Sequence, residues 1–195
     1  MKILLTGFEP FGEHEKNSSE LVLDFFKDHE QIQTKLLPVE YENAFKIVSD
    51  LMDQTDFNFV IHLGQAAGRS KISLERVAIN VCDFPIDDNK GVRIVDEPII
   101  KEADAAYFST LPIRELEKEL STSGVPCEIS NTAGAYICNE IMYRSLHKSF
   151  NQKTSVGFIH LPLMTEESSK SESSQLCLSQ LVHGIELILK YLLKL

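Results

Sequence analysis

Two hydrophobic periods take turns along this chain. Short apolar or alternating runs, each the length of a strand, are separated by stretches with apolar residues three and four apart, the spacing of a helix face. The runs KILLT (2–6), TKLLPVE (34–40), FNFVIHLG (57–64), KISLERVAINVCD (71–83), PCEISNTAG (126–134) and TSVGFIHLP (154–162) predict strands, the fifth passing into a turn. Helical spacing predicts helices over 17–29, 42–54, 111–124, 135–149 and 172–194. Asn17 and Glu20 make a capping-box pattern at the first helix, and Gly124 is a stop signal for the third. Strands interleaved with helices predict an α/β fold with a mostly parallel sheet covered on both faces.

Two segments break the rhythm: GFEPFGEHEKN (7–17) and the long polar stretch 84–105, which contains Pro85, Gly91 and Pro98. Loops of that length are usually functional or disordered. No repeat, low-complexity tract or linker divides the chain, so residues 1–195 read as one domain.

Composition narrows the function classes. The 195 residues are 43% apolar and 25% charged, an ordinary globular balance. With 19 basic and 29 acidic residues the net charge is −10, which argues against nucleic acid as a partner. No apolar stretch approaches a membrane span, and the run before Gly7 is too short for a signal peptide. Cys82, Cys127, Cys138 and Cys177 form no C-x-x-C pair and no zinc-ligand spacing, so a reducing cytoplasm and no metal are expected.

Three residues carry candidate chemistry. Cys138 lies within about one turn of a predicted helix N-terminus, after the small NTAG turn. Unpaired N–H groups there favour a thiolate, and such a turn can aim N–H groups at an oxyanion. The ordinary use of a cysteine is as a small core residue. Glu75 shares a predicted strand face with Ser73, Val77, Ile79 and Val81, where a carboxylate needs a partner. The plain reading is a salt bridge to a nearby arginine, or a strand end where the face meets water; the chemical reading is a carboxylate held to orient a partner such as histidine. His160 ends an apolar strand, at the carboxyl edge where α/β sheets bind ligands. His62 has a similar local sequence, and position alone does not separate the two. A cysteine, a histidine and an acid are the parts of nucleophilic acyl transfer, but spacing does not show that they meet.

Several long motifs in order resemble the pyroglutamyl peptidase I (pyrrolidone-carboxylate peptidase) family of cysteine peptidases. They are KILLTGFEPFG (2–12), LGQAAGRSKISLERVAIN (63–80), DEPI (96–99), AAYFSTLPIREL (105–116), SNTAGAYICNEIMY (130–143) and GFIHLPL (157–163). The resemblance implies a single-domain α/β/α sandwich that removes N-terminal pyroglutamate from peptides and proteins. It maps a triad onto Cys138 as nucleophile, His160 as base and acid, and Glu75 as orienting carboxylate. Phe8, Phe11 and Gln65 match its substrate pocket. It further implies a cytoplasmic homo-oligomer, dimeric or tetrameric, without cofactor or metal.

One departure stands out. Bacterial members carry an arginine, credited with a part in the oxyanion site, where this chain has Pro85; Arg93 lies slightly downstream. NSS at 17–19 replaces the usual Asn-Pro-Ser but keeps helix-start chemistry. Pro85 keeps a weakened or altered-specificity relative that binds capped peptides as an alternative. A phosphorylase on a similar fold is a further one, with GQAAGRS (64–70) as its weak phosphate-site candidate.

Overall fold

A computed structural model describes residues 1–164 and 176–195. Its strands are β1 (Ile3–Phe8), β2 (Ile32–Leu37), β3 (Phe59–Ala66), β4 (Ile72–Glu75), β5 (Val77–Ile79), β6 (Ala106–Phe108), β7 (Cys127–Ser130) and β8 (Ser155–Pro162). The helices are α1 (Ser18–Asp24), α2 (Asn43–Gln54), α3 (Ile113–Thr122), α4 (Ile137–Ser149) and α5 (Leu178–Leu192). Residues 172–175 of the last predicted helix lie outside the described residues.

Six strands form one sheet in the order β2-β1-β3-β8-β4-β7. All neighbours run parallel except β8 and β4, which are antiparallel. Strands buried on both faces need apolar residues at successive positions, and ILLTGF and FVIHLGQA meet that demand. Alternation then splits the core. Ile3, Leu5, Ile61, Leu63, Ile72, Leu74, Ile159 and Leu161 face α1, α3 and α5. Leu4, Phe8, Val60, Val156 and Phe158 face α2 and α4 on the other side.

Helix ends follow their local chemistry. The Asn17 side chain accepts from the Ser19 N–H and caps α1. Gly124 takes φ +75° just past α3, the left-handed conformation that glycine adopts without strain.

The predicted strand 71–83 is corrected. It breaks at Arg76: β4 belongs to the main sheet, whereas β5 pairs antiparallel with β6 in a separate two-stranded sheet. Ser73 and Glu75 do share a face, but Val77, Ile79 and Val81 do not continue it. The break comes where β4 runs out of partners: Arg76 donates its N–H to Ser130, the last residue of β7, and Ser109 N–H bonds to the Arg76 carbonyl. Residues 80–105 contain no strand or helix apart from an isolated bridge between Cys82 and Glu97.

Candidate active site

Register brings the candidate residues to one face of the sheet. Gly64 on β3 is the partner of His160 on β8, and Ser73 on β4 is its partner on the other side. Side chains at paired positions point the same way, so His160, Phe158, Ser73 and Glu75 share the face on which α4 lies. The His160 Nδ1 lies 2.7 Å from the Glu75 Oε1. Glu75 is fully buried and His160 nearly so. The arginine and the histidine weighed as partners for Glu75 are both present, because Arg69 Nη1 reaches the same Oε1 at 2.6 Å.

Cys138 is the second residue of α4 and is half-buried. Its Sγ sits against Gly64: a Cβ built there would stand 3.2 Å from the sulfur and 2.6 Å from the Phe158 ring. The thiol therefore approaches β3 because residue 64 has no side chain, and Gly64 is the register partner of His160 on β8. Asn139 fixes this end of the helix. Its Nδ2 donates to the carbonyls of Ile79 (2.8 Å) and Val81 (3.0 Å), and its Oδ1 accepts from the Ile79 N–H (2.9 Å). Gly134, at φ +80° in the turn before α4, donates its N–H to Thr132 Oγ1.

The electrostatics correct one expectation. Burial pushes the Cys138 thiol up to about 12, and the Glu75 carboxylate pushes the same way; Arg69 and the backbone oppose them. A helix N-terminus alone favours the thiolate, but a largely desolvated sulfur loses more than that dipole returns. Burial likewise lowers the His160 imidazole below its ordinary value, although its hydrogen bond to Glu75 raises it. Both shifts favour the uncharged form, of the thiol and of the imidazole.

A small pocket opens next to the sulfur, lined by Phe8, Phe11, Asn17, Val39, Gln65, Tyr136, Ile137 and Cys138. Phe8 and Phe11, expected here, are both present; Phe8 is buried against Phe158, their rings 6.5 Å apart. Gln65 is buried, and its Oε1 accepts from the Ser18 N–H (2.9 Å) and lies 2.9 Å from the Ser18 hydroxyl. That fixes the amide's orientation and leaves Nε2 a buried donor with no partner among the described residues. The N-terminal loop is tied down alongside: Phe8 N–H donates to Ser19 Oγ, and Asn17 Nδ2 to the Glu9 carbonyl.

Sequence reasoning missed Tyr136 and gave Arg69 only a phosphate-site role. Tyr136 packs edge-on against Phe84 at 4.8 Å and donates its hydroxyl proton to the Asp87 carbonyl. Its place two residues before Cys138 was the available signal. His62 is fully buried, with Thr6 Oγ1 at 2.8 Å and Ser145 Oγ at 3.0 Å. Arg93 donates to the Pro85 carbonyl and lies 3.8 Å from the Asp87 carboxylate; neither Arg93 nor Pro85 lines the pocket. Among the described residues no His, Cys, Asp or Glu group is arranged for a metal ion, and no helix is long and apolar enough to cross a membrane.

Comparison with known proteins matches the fold and the motifs together. The family model described as pyroglutamyl peptidase matches residues 1–194. The pyrrolidone-carboxylate peptidase of Vibrio vulnificus (strain YJ016) is 40% identical over 192 residues, covering 96% of this chain and 91% of the relative. That of Pyrococcus furiosus is 45% identical over 174 residues, covering 86% and 83%. The structure of a mutant pyrrolidone carboxyl peptidase from Pyrococcus furiosus superposes with TM-score 0.91 at 36% identity, covering 100% of this chain and 99% of that one. Bacillus amyloliquefaciens pyroglutamyl peptidase I gives 0.88 at 32%, covering 96% and 94%. With this match spanning nearly every residue, the chain belongs to the pyroglutamyl peptidase family of cysteine-type hydrolases.

Proposed function

We propose that this protein removes N-terminal pyroglutamate from peptides and proteins by acyl transfer through Cys138, His160 and Glu75. The observation that carries the reading is the 2.7 Å His160–Glu75 bond on the sheet face where the Cys138 thiol lies against Gly64. Beside it is an apolar pocket with one unsatisfied buried donor, Gln65 Nε2. A pyroglutamyl ring suits that pocket: it is an uncharged lactam with apolar methylenes and a carbonyl acceptor. Phe8, Phe11 and Tyr136 contact the ring, and Gln65 Nε2 donates to substrate oxygen.

With the uncharged thiol and imidazole both favoured, His160 acts as a general base. As Sγ attacks the pyroglutamyl carbonyl carbon, the thiol proton passes to the imidazole, whose positive charge Glu75 stabilises. N–H groups at the start of α4, unpaired within the helix, face the developing oxyanion. The imidazolium then gives its proton to the leaving amine as the C–N bond breaks, leaving a thioester. Water, deprotonated by the same imidazole, hydrolyses the thioester and frees pyroglutamate and the thiol.

The test is hydrolysis of a pyroglutamyl amide beside the matching prolyl amide. Pyroglutamyl turnover is expected, with prolyl turnover lower by about 10² or more because Gln65 loses its acceptor. Cys138→Ala is expected to abolish turnover, and full activity in that variant refutes the assignment. The phosphorylase alternative gains no support, since Arg69, the cation in GQAAGRS, is held by Glu75 and the Thr132 carbonyl. The same reading has the protein act in the cytoplasm as a homo-oligomer, which light scattering on the purified protein checks.

A further inference from the structure

Arg69 stands outside the three residues proposed to react, yet it joins the surroundings of two of them. Its backbone N–H closes a turn onto the Ala66 carbonyl at the end of β3. One arm of its guanidinium, Nη1, reaches Glu75 Oε1 at 2.6 Å; the other, Nη2, donates to the Thr132 carbonyl at 2.9 Å. Thr132 belongs to the turn that leads from β7 into the helix carrying Cys138, where Ser130 Oγ and Gly134 N–H add their own bonds to it. Glu75 is 0% exposed, whereas the Arg69 side chain is 21% exposed.

We propose, resting on the acyl-transfer reading above, that Arg69 is a positioning residue: its guanidinium fork ties the orienting carboxylate of Glu75 to the turn that aims Cys138. The geometry explains why an arginine is needed. Glu75 Oε1 takes both Arg69 and His160, while Oε2 is buried with no hydrogen-bond partner among the described residues. A buried carboxylate keeps its charge only when it is paired. Without Arg69, Glu75 Oε1 has His160 alone, and nothing ties the carboxylate to the Thr132 turn. A carboxylate free to turn no longer holds His160 Nδ1 in line while the ring takes on charge during attack. A lysine carries one compact charge and does not span both acceptors as a fork does.

The role predicts an effect on turnover rather than on binding, because Arg69 does not line the substrate pocket. Arg69→Met is expected to lower kcat about 10²-fold, the scale of a misaligned reacting geometry, with KM changed less than about threefold. Arg69→Lys is expected to fall between, at about tenfold. In a Glu75→Gln background, Arg69→Met is expected to cost less than about threefold more, since the carboxylate it acts through is gone. A plain structural role lowers both backgrounds alike.

Two results overturn the proposal: kcat in Arg69→Met within about threefold of wild type, or an equal loss in the two backgrounds. Thermal unfolding of each variant separates lost fold from lost turnover. Should Arg69→Met not fold, Arg69→Lys decides the matter, and wild-type kcat there overturns the proposal. Cys138→Ala, measured in parallel, tests the underlying reading separately: activity surviving there refutes acyl transfer through Cys138 whatever Arg69 does.

Discussion

His62 and His160 occupy nearly the same sequence, FVIHLG and GFIHLP, on adjacent parallel strands of one sheet. Both point to the same face, with Phe158 between them at ring distances of 6.2 and 4.6 Å. Their surroundings differ completely. His62 is held by the hydroxyls of Thr6 on β1 and Ser145 on α4, and burial lowers its pKa to about 3. His160 lies one repeat of the pleat further toward the carboxyl edge and meets the Glu75 carboxylate. A two-residue difference in register therefore separates a histidine held by two hydroxyls from one bonded to a buried carboxylate. The partners that decide this come from other elements and not from the strand carrying the ring.

The sharpest way to break the comparison is to exchange each ring for a smaller amide. His160→Asn is expected to lower kcat on a pyroglutamyl amide by about 10⁴-fold, as loss of a base in a cooperating triad does. His62→Asn is expected to stay within about tenfold of wild type at a temperature where it is folded. Equal losses of kcat in two folded variants would put both histidines in the chemistry.

Gly64→Ala probes the space between the two strands. The new Cβ meets Phe158 ring atoms at 2.6 and 2.9 Å and the Cys138 sulfur at 3.2 Å. Either the ring or the thiol has to move. A kcat loss of about 10²-fold is expected, with about 1–3 kcal/mol of stability lost to overpacking. Steady-state kinetics and urea unfolding on the same sample check both.

Stability against pH isolates His62. Burial holds its folded-state pKa near 3, against an ordinary 6.5, so below pH 6.5 the unfolded chain binds a proton that the folded chain refuses. Its contribution is complete above pH 6.5 and is lost at about 1.4 kcal/mol per unit as pH falls toward 3. His62→Asn is expected to show a shallower fall between pH 6.5 and 5 in urea titrations. An unchanged slope would mean that the ring is not buried in its neutral form.

The smallest effect concerns His160. The proposed mechanism uses its neutral form, and burial outweighs Glu75 in lowering its pKa. The acid limb of the kcat/KM profile is expected below the ordinary 6.5, losing rate as pH falls through it. A limb above 6.5 would mean that Glu75 dominates instead.

Much of this was legible in the chain. Apolar runs and helical spacing located the strands of the main sheet and all five helices, because burial on one face or both leaves a periodic record. Long motifs singled out Cys138, Glu75, His160, Phe8, Phe11 and Gln65 as candidates through resemblance. The break at Arg76 was not legible, since ISLE and VAI read as one alternating strand until their pairing partners are known. Arg69 showed no catalytic signal because its partners lie 6 and 63 residues away. The thiol's pKa escapes the sequence for a similar reason: the helix terminus is local, whereas the burial that outweighs it comes from the packed sheet and loops.

The order of hydrophobic and polar residues was enough to determine that strands and helices alternate and that the sheet is covered on both faces, although it ran the first helix on to 29 where α1 ends at Asp24. These are properties of short segments, set by side-chain period and by caps. Resemblance pointed to His160, but only tertiary structure shows that it meets the acid, that β4 runs against β8, and that one arginine spans the carboxylate and the turn before the thiol. Those choices depend on strand register and on groups far apart in the chain, and no local pattern encodes a distance between them.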